Sequence, residues 1–203
     1  VPPGHWDAVD RWDDDTLSYV ETGQRIERFP VHERLRPGTA FEVGGRTWQV
    51  IATPGHDPHA VVLWAPEDRL LVSADALWGN GFGVVFPELD GEPGFADVAA
   101  SLDAIEALAP ALVIPGHGAP FADVADALAR ARRRLDGWRA DPPRHLRHGM
   151  KVLVKYHLME ERAEPLAAFD AWFARTRLAR AVWEALGRSL GDAVAFGRTL
   201  ADE

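Results

Sequence analysis

Three short segments constrain the fold of this 203-residue chain most strongly, because each places a metal-binding type of side chain after a predicted β-strand. His56 lies in Thr-Pro-Gly-His, Asp75 in Ser-Ala-Asp-Ala-Leu, and His117 in Pro-Gly-His-Gly. A metal-hydrolase site needs neutral imidazoles and carboxylates that project from rigid strand ends into an open pocket. If the three strands run in the same direction, we expect the three side chains to meet at one edge of a sheet.

The predicted strands are short apolar runs, separated by Gly- and Pro-rich turns. Residues 41–43 and 47–52 form a predicted hairpin around Gly44-Gly45, and residues 60–64 and 70–73 form a second one. Residues 112–114 form a further strand that leads to His117. Apolar residues at helical spacing predict helices over 95–108, before Pro110, and over 121–135. Strand hairpins followed by alternating helices and strands predict a layered α/β protein.

The C-terminal part of the chain differs in charge and in apolar pattern. Residues 139–203 carry 11 Lys or Arg and 9 Asp or Glu, whereas the whole chain has a net charge of −9. Apolar stripes after residue 165 predict helices there. The segment Asp141-Pro142-Pro143 favours a boundary. The sequence therefore predicts a main domain over 1–138 and a small helical C-terminal appendage over 139–203.

The two His motifs and the intervening Asp motif resemble the later metal motifs of the metallo-β-lactamase-fold hydrolases, over about residues 40–120. The resemblance implies an αββα sandwich and a site for two metal ions, expected to be zinc, with iron as the alternative. His56 would complete one metal site, His117 the other, and Asp75 would bridge both ions. A bridging water or hydroxide would be the nucleophile, which Asp75 would also position.

The chain departs from the family because the His-x-His-x-Asp-His signature is absent. His5 is the only histidine before His32, and His32 lies in Val-His-Glu-Arg. Each metal would keep Asp75 and one histidine, one protein ligand fewer than a catalytic zinc normally has. We expect a natural protein longer than this chain, which begins at Val1, with a fold incomplete at the N-terminal side. The alternative is a complete but degenerate chain, whose open sheet edges invite a partner or a homo-oligomer.

Other residues near the three motifs are candidates for substrate contact. His59 follows His56 by three residues, and Trp78 and Asn80 lie in the Gly-rich segment after Asp75. We predict that all three residues bind substrate. The alternatives are a surface histidine and a packed loop.

Composition narrows the function classes. The absence of cysteine excludes disulfides, thiolate metal sites and cysteine nucleophiles, and it permits a cytoplasmic location, which we predict. No apolar run reaches the length of a membrane span. The acidic main domain disfavours binding to the phosphate backbone of nucleic acid. The expected partner is a small-molecule substrate.

The leading hypothesis is a metallo-hydrolase that acts on an ester, thioester, amide or phosphoester. A mononuclear iron dioxygenase of the same fold is the first alternative, since two histidines and one carboxylate can hold one iron ion. A degenerate, non-catalytic domain that acts through protein contacts is the second.

Overall fold

The computed structural model describes residues 1–20, 24–187 and 192–202. Its elements follow in chain order: α1 (Trp6–Arg11), α2 (Asp14–Leu17), β1 (Ala40–Val43), β2 (Arg46–Ala52), β3 (Val61–Ala65), β4 (Leu70–Ala74), α3 (Phe86–Leu89), α4 (Phe95–Leu108), β5 (Leu112–Pro115), α5 (Val124–Ala140), α6 (Pro142–Glu161), α7 (Leu166–Arg175), α8 (Arg177–Ala185) and α9 (Ala193–Asp202).

The chain divides into two compact units. The first, here called the sheet unit, comprises Val1–Gly4, Val31–Glu88 and Glu92–Ala140. The second, here called the helical unit, comprises His5–Pro30, Leu89–Gly91 and Asp141–Glu203. The predicted domain limits of 1–138 and 139–203 stay a prediction. The sequence pattern gave no sign that residues 5–30 group with the C-terminal helices.

The sheet unit contains one five-stranded sheet with the strand order β1-β2-β3-β4-β5. The first three neighbouring pairs are antiparallel, and β4 pairs with β5 in parallel. Gly44 and Gly45 connect β1 to β2, with φ of +62° and +72°. Glycine suits both positions because a two-residue turn with two positive φ values strains other residues.

The strand directions decide where the candidate ligands lie. Parallel strands need a crossover connection, and helix α4 lies between β4 and β5 in the chain. Because β2 and β4 are each antiparallel to β3, the strands β2, β4 and β5 run in the same direction. The carboxyl ends that lead to His56, Asp75 and His117 therefore meet at one edge of the sheet, as the sequence predicts.

One face of this sheet packs against α4 and α5 and forms the core of the sheet unit with them. Val62, Leu71 and Val113 on β3, β4 and β5 are fully buried in a cluster with residues of α4 and α5, among them Leu102, Ile105, Ala127, Ala131 and Leu135. Leu63, Val72 and Ile114 pair across the strands on the opposite face. Leu63 and Val72 are partly buried, and Ile114 is exposed, with 37% of its surface accessible.

The helical unit holds α6 to α9 together with α1 and α2. Aromatic side chains of α7 and α9 fill its centre: Phe173 is fully buried and lies edge-on to Phe196, with 6.1 Å between the ring centroids. Pro142 and Pro143 begin α6, where their missing N–H groups cost no helical hydrogen bond. Residues 152–159, which the sequence leaves open between helix and strand, belong to α6.

The mixed α/β class and the helical C-terminal region are confirmed by these elements. Among the described residues, no helix has both the length and the apolar character needed to cross a lipid bilayer.

Candidate functional site

The edge of the sheet brings the three predicted ligands together around one carboxylate. The Nε2 atom of His56 lies 3.3 Å from Oδ2 of Asp75, and Nε2 of His117 lies 3.7 Å from Oδ1 of Asp75. Each histidine thus faces a different carboxylate oxygen. This is the arrangement expected when one aspartate lies between two sites.

The ring of His56 is oriented by the backbone. Its Nδ1 atom lies 2.6 Å from the carbonyl oxygen of Val84, which can only accept a hydrogen bond. Nδ1 therefore carries a proton, and in the neutral ring Nε2 keeps its lone pair for a metal ion. Such a carbonyl contact behind a histidine is the usual support of a metal-binding imidazole. The ring also lies beside Phe86, with 5.2 Å between the centroids.

Just before Asp75, the chain leaves β4 through a backbone conformation that is rare outside glycine. Ala74, the last residue of β4, has φ of +44°. The buried hydroxyl of Ser73 donates to the carbonyl of Leu77 across 2.6 Å and closes the turn that carries Asp75. Non-glycine residues with positive φ persist where the surroundings over-determine them, often at functional sites.

Glycines allow the three motifs to approach one another closely. A Cβ atom on Gly83 would lie 2.5 Å from Nδ1 of His56 and 3.0 Å from Cβ of Asp75. A Cβ atom on Gly116 would lie 2.8 Å from Oδ1 of Asp75. Gly55, just before His56, combines φ of +142° with a similarly close approach to Val98. A side chain at Gly83 or Gly116 would occupy the space that His56 and Asp75 need, and one at Gly55 would clash with Val98 on α4.

The donor set fits part of a metal centre. Two ligands bound to one tetrahedral zinc lie roughly 3.4 Å apart, given zinc–ligand distances of about 2.0–2.2 Å, so both His–Asp separations are of the right size. The side chains of His56, Asp75 and His117 are 22%, 29% and 60% exposed, which keeps the site accessible. Within residues 1–20, 24–187 and 192–202, no group of three or more His, Asp or Glu side chains is arranged to hold one ion. The described residues could therefore supply two donors to each of two metal positions.

The residues predicted to bind substrate have three different surroundings. His59 is exposed, and its ring packs against Gly4. The indole N–H of Trp78 donates to Oδ1 of Asp75 across 3.0 Å, and its ring lies edge-on to His117 with 4.9 Å between centroids. Asn80 is exposed. The role of all three residues in substrate binding stays a prediction, and Trp78 in addition contacts two of the proposed ligands.

Two arginines of α5 hold the loop that carries Trp78, and sequence reasoning missed both. Nε of Arg130 donates to the carbonyl of Gly79 across 2.8 Å, and Nη1 of Arg134 donates to the carbonyl of Asn80 across 3.3 Å. Arg130 also donates to Asp123, and this hydrogen bond holds the pKa of the Asp123 carboxyl below its ordinary value. These arginines lie more than fifty residues after the loop, so only the fold brings them to it.

Comparison with known proteins gives a consistent result. The family model of the metallo-beta-lactamase superfamily matches residues 2–117. The beta-lactamase-like protein 2 homolog of Caenorhabditis elegans is 37% identical over 93 residues, which are 46% of this chain and 28% of that protein. The hydroxyacylglutathione hydrolase of Rhizobium meliloti (strain 1021) is 43% identical over 49 residues, which are 24% of this chain and 19% of that enzyme.

A solved structure is similar over a larger share of the chain. It is a beta-lactamase domain protein from Burkholderia ambifaria, 27% identical, with a TM-score of 0.50. The match covers 84% of this chain and 47% of that protein. The chain thus spans less than a third of the two curated relatives and about half of this structural relative.

Proposed function

Because the chain belongs to the metallo-beta-lactamase superfamily, as the resemblance of its motifs implies, we propose that it carries part of the active site of a metal-dependent hydrolase. The superfamily includes hydrolases such as hydroxyacylglutathione hydrolase. The proposed substrates are small molecules with an ester, thioester, amide or phosphoester bond. The observation that carries the proposal is the placement of His56 and His117 on opposite oxygens of Asp75.

His56, Asp75 and His117 are the proposed ligands of the metal ions. His56 would bind through Nε2, because Nδ1 is engaged with Val84. Asp75 would bind with both oxygens, one toward each histidine. Two zinc ions, or iron in their place, would supply Lewis acidity, which polarises the substrate and lowers the pKa of water.

Two donors per position hold a metal weakly, since a catalytic zinc normally has three protein ligands. We therefore expect the affinity of this chain for zinc to be lower than that of a complete site. In this proposal, further ligands come from protein outside the described residues, and the activity of the whole protein depends on them.

The geometry favours the hydrolase over a mononuclear iron dioxygenase. A single iron ion would need both histidines and the carboxylate on one side of the metal. His56 and His117 instead face different oxygens of Asp75. A non-catalytic role through protein contacts has no comparable support in the site, although the partly exposed residues Leu63, Val72 and Ile114 give a partner or a second copy an apolar surface to cover.

The test is hydrolysis by the 203-residue chain with zinc in excess, using one chromogenic substrate for each of the four bond types. We expect a slow reaction with at least one substrate, with a rate that rises with zinc concentration. Asp75→Ala should reduce the rate to that of buffer with zinc. Asp68→Ala, in an exposed aspartate paired with Arg46, is the matched control and should keep the rate. A zinc-dependent rate above that of buffer with zinc that is equal for the chain and Asp75→Ala would refute the proposal.

A further inference from the structure

Trp78 directly contacts two of the three candidate ligands. Its indole N–H donates to Oδ1 of Asp75, and its ring supports His117. We propose that Trp78 is a positioning residue, which fixes the Asp75 carboxylate and the His117 ring for metal binding and does not bind substrate. This inference rests on the proposed function for the identity of the metal site.

The hydrogen bond determines how the carboxylate of Asp75 is turned. An indole N–H can only donate, so it engages one lone pair of Oδ1 and leaves the rest of the carboxylate available. With Oδ1 held by Trp78 at 3.0 Å, Oδ2 is directed at Nε2 of His56. Without this bond, the carboxylate could rotate about its last torsion, which is broad and soft. Trp78 therefore maintains the division of the two oxygens between the two histidines.

The ring contact limits the freedom of His117. This side chain is 60% exposed, and an exposed side chain loses conformational entropy when a ligand fixes it. The edge-on contact with Trp78, at 4.9 Å between ring centroids, restricts the imidazole before any metal binds. Preorganisation of this kind lowers the cost of metal binding.

Trp78 is itself held in place by the fold. Its backbone N–H donates to the carbonyl of Gly81 across 2.6 Å, which closes a tight loop. Arg130 and Arg134 on α5 donate to the next two carbonyls of that loop. Arg134 also lies over the ring of buried Trp138, with 4.8 Å to the centroid. Side chains of a core helix thus anchor the loop, which gives Trp78 the rigidity that a positioning residue needs.

The first test uses the metal-free chain and the NMR signals of its indole N–H groups, with the Trp78 signal assigned by its loss in Trp78→Phe. We expect the Trp78 indole proton to exchange slowly with solvent in the wild-type chain. Asp75→Ala should shift this signal and accelerate its exchange, and the signal of Trp48, which donates to the carbonyl of Val43, should not change. A Trp78 signal unchanged by Asp75→Ala would overturn the inference, whether or not the chain binds metal.

The second test measures zinc affinity by competition with a chromophoric chelator. Removal of a group that supports a metal ligand typically lowers metal affinity 10- to 100-fold, and we expect a loss of about this size for Trp78→Phe. Trp48→Phe, which also removes an indole donor from the sheet unit, should bind zinc as the wild-type chain does. Equal affinity for Trp78→Phe and wild type would overturn the inference and leave the proposed function intact. Absence of zinc binding by the wild-type chain would overturn the proposed function, and the NMR result would still decide the contact.

Discussion

Nδ1–H of His56 donates a hydrogen bond of 2.6 Å to the carbonyl oxygen of Val84, and this bond turns Nε2 toward Asp75. The bond connects His56, which follows β2, to Val84, which lies 28 residues later in the chain and just after the loop of residues 78–81. It fixes both the orientation and the tautomer of the imidazole, so that Nε2 keeps the lone pair that a metal ion requires.

Gly83→Ala should disrupt this arrangement, because the added methyl group would lie 2.5 Å from Nδ1 of His56. His56 would have to leave Val84, and overpacking of this kind typically costs about 1–3 kcal/mol in the free energy of unfolding. We expect that loss in chemical denaturation of the metal-free chain, together with weaker zinc binding.

Gly79→Ala is the matched control for this substitution. A Cβ atom there meets only Phe121, at an ordinary distance of 3.6 Å, and the carbonyl that binds Arg130 is unchanged. Stability should stay within about 0.5 kcal/mol of wild type. If Gly83→Ala were as stable as Gly79→Ala and bound zinc equally well, the close packing around His56 would not matter for the site.

Glu164 in the helical unit should stabilise that unit through His157. Nε2 of His157 lies 2.7 Å from Oε1 of Glu164, and the imidazole is buried and stacked on Trp172 at 3.7 Å between centroids. Glu164→Ala would leave a buried N–H without its acceptor, at a cost of about 1–3 kcal/mol. Glu164→Gln keeps an acceptor oxygen and should lose less. Equal losses in thermal or urea unfolding would show that the acceptor is not what stabilises this contact.

Stability should fall in acid partly through Asp170. Arg198 donates to both carboxylate oxygens of Asp170, and this hydrogen bonding holds the pKa of Asp170 below its ordinary value of 3.8. Since the pKa is lowered on folding, the stabilisation is complete above the unfolded pKa and is lost as pH falls through the folded pKa. Asp170→Asn should therefore lower the Tm at pH 7, and the difference from wild type should shrink below pH 3.8.

Arg198→Gln provides the control for the acid dependence. In that background Asp170 has lost its partner, so Asp170→Asn should change the Tm little at any pH. A Tm difference that stays constant from pH 7 to pH 3 in the wild-type background would contradict the role of the ionised pair.

The sequence predicts that His56, Asp75 and His117 lie close together, as they do in the structure, because short-range features encode their positions. An apolar run followed by a turn rich in glycine or alanine identifies the end of a strand. Gly55 and Gly116 mark places where the backbone passes close to other residues, Val98 and Asp75 respectively. Hydrophobic pattern also predicts helix 95–108, which is the crossover that makes β4 and β5 parallel. The common edge of His56, Asp75 and His117 then follows from strand direction alone.

The supporting contacts could not be predicted because they are long-range and leave no periodic signal. Val84 acts through its carbonyl, which every residue possesses, and the arginines of α5 look like ordinary charges on a helix. The sequence predicts substrate binding by Trp78 because this residue follows Asp75, and that stays a prediction; the hydrogen bond from its indole N–H to Asp75 leaves no sign in the sequence. Sequence distance gives proximity to a motif, but only the fold gives the direction of a donor.

The most direct test of metal binding by His56, Asp75 and His117 is the zinc content of the 203-residue chain after equilibrium dialysis. It is measured by elemental analysis, beside the variants His56→Ala and His32→Ala. We expect weak zinc binding by the wild-type chain, because two donors serve each position. His32→Ala should keep this binding, since the exposed His32 lies outside the site, and His56→Ala should reduce it. A wild-type chain that binds no more zinc than His56→Ala would contradict the assignment of His56, Asp75 and His117 as metal ligands.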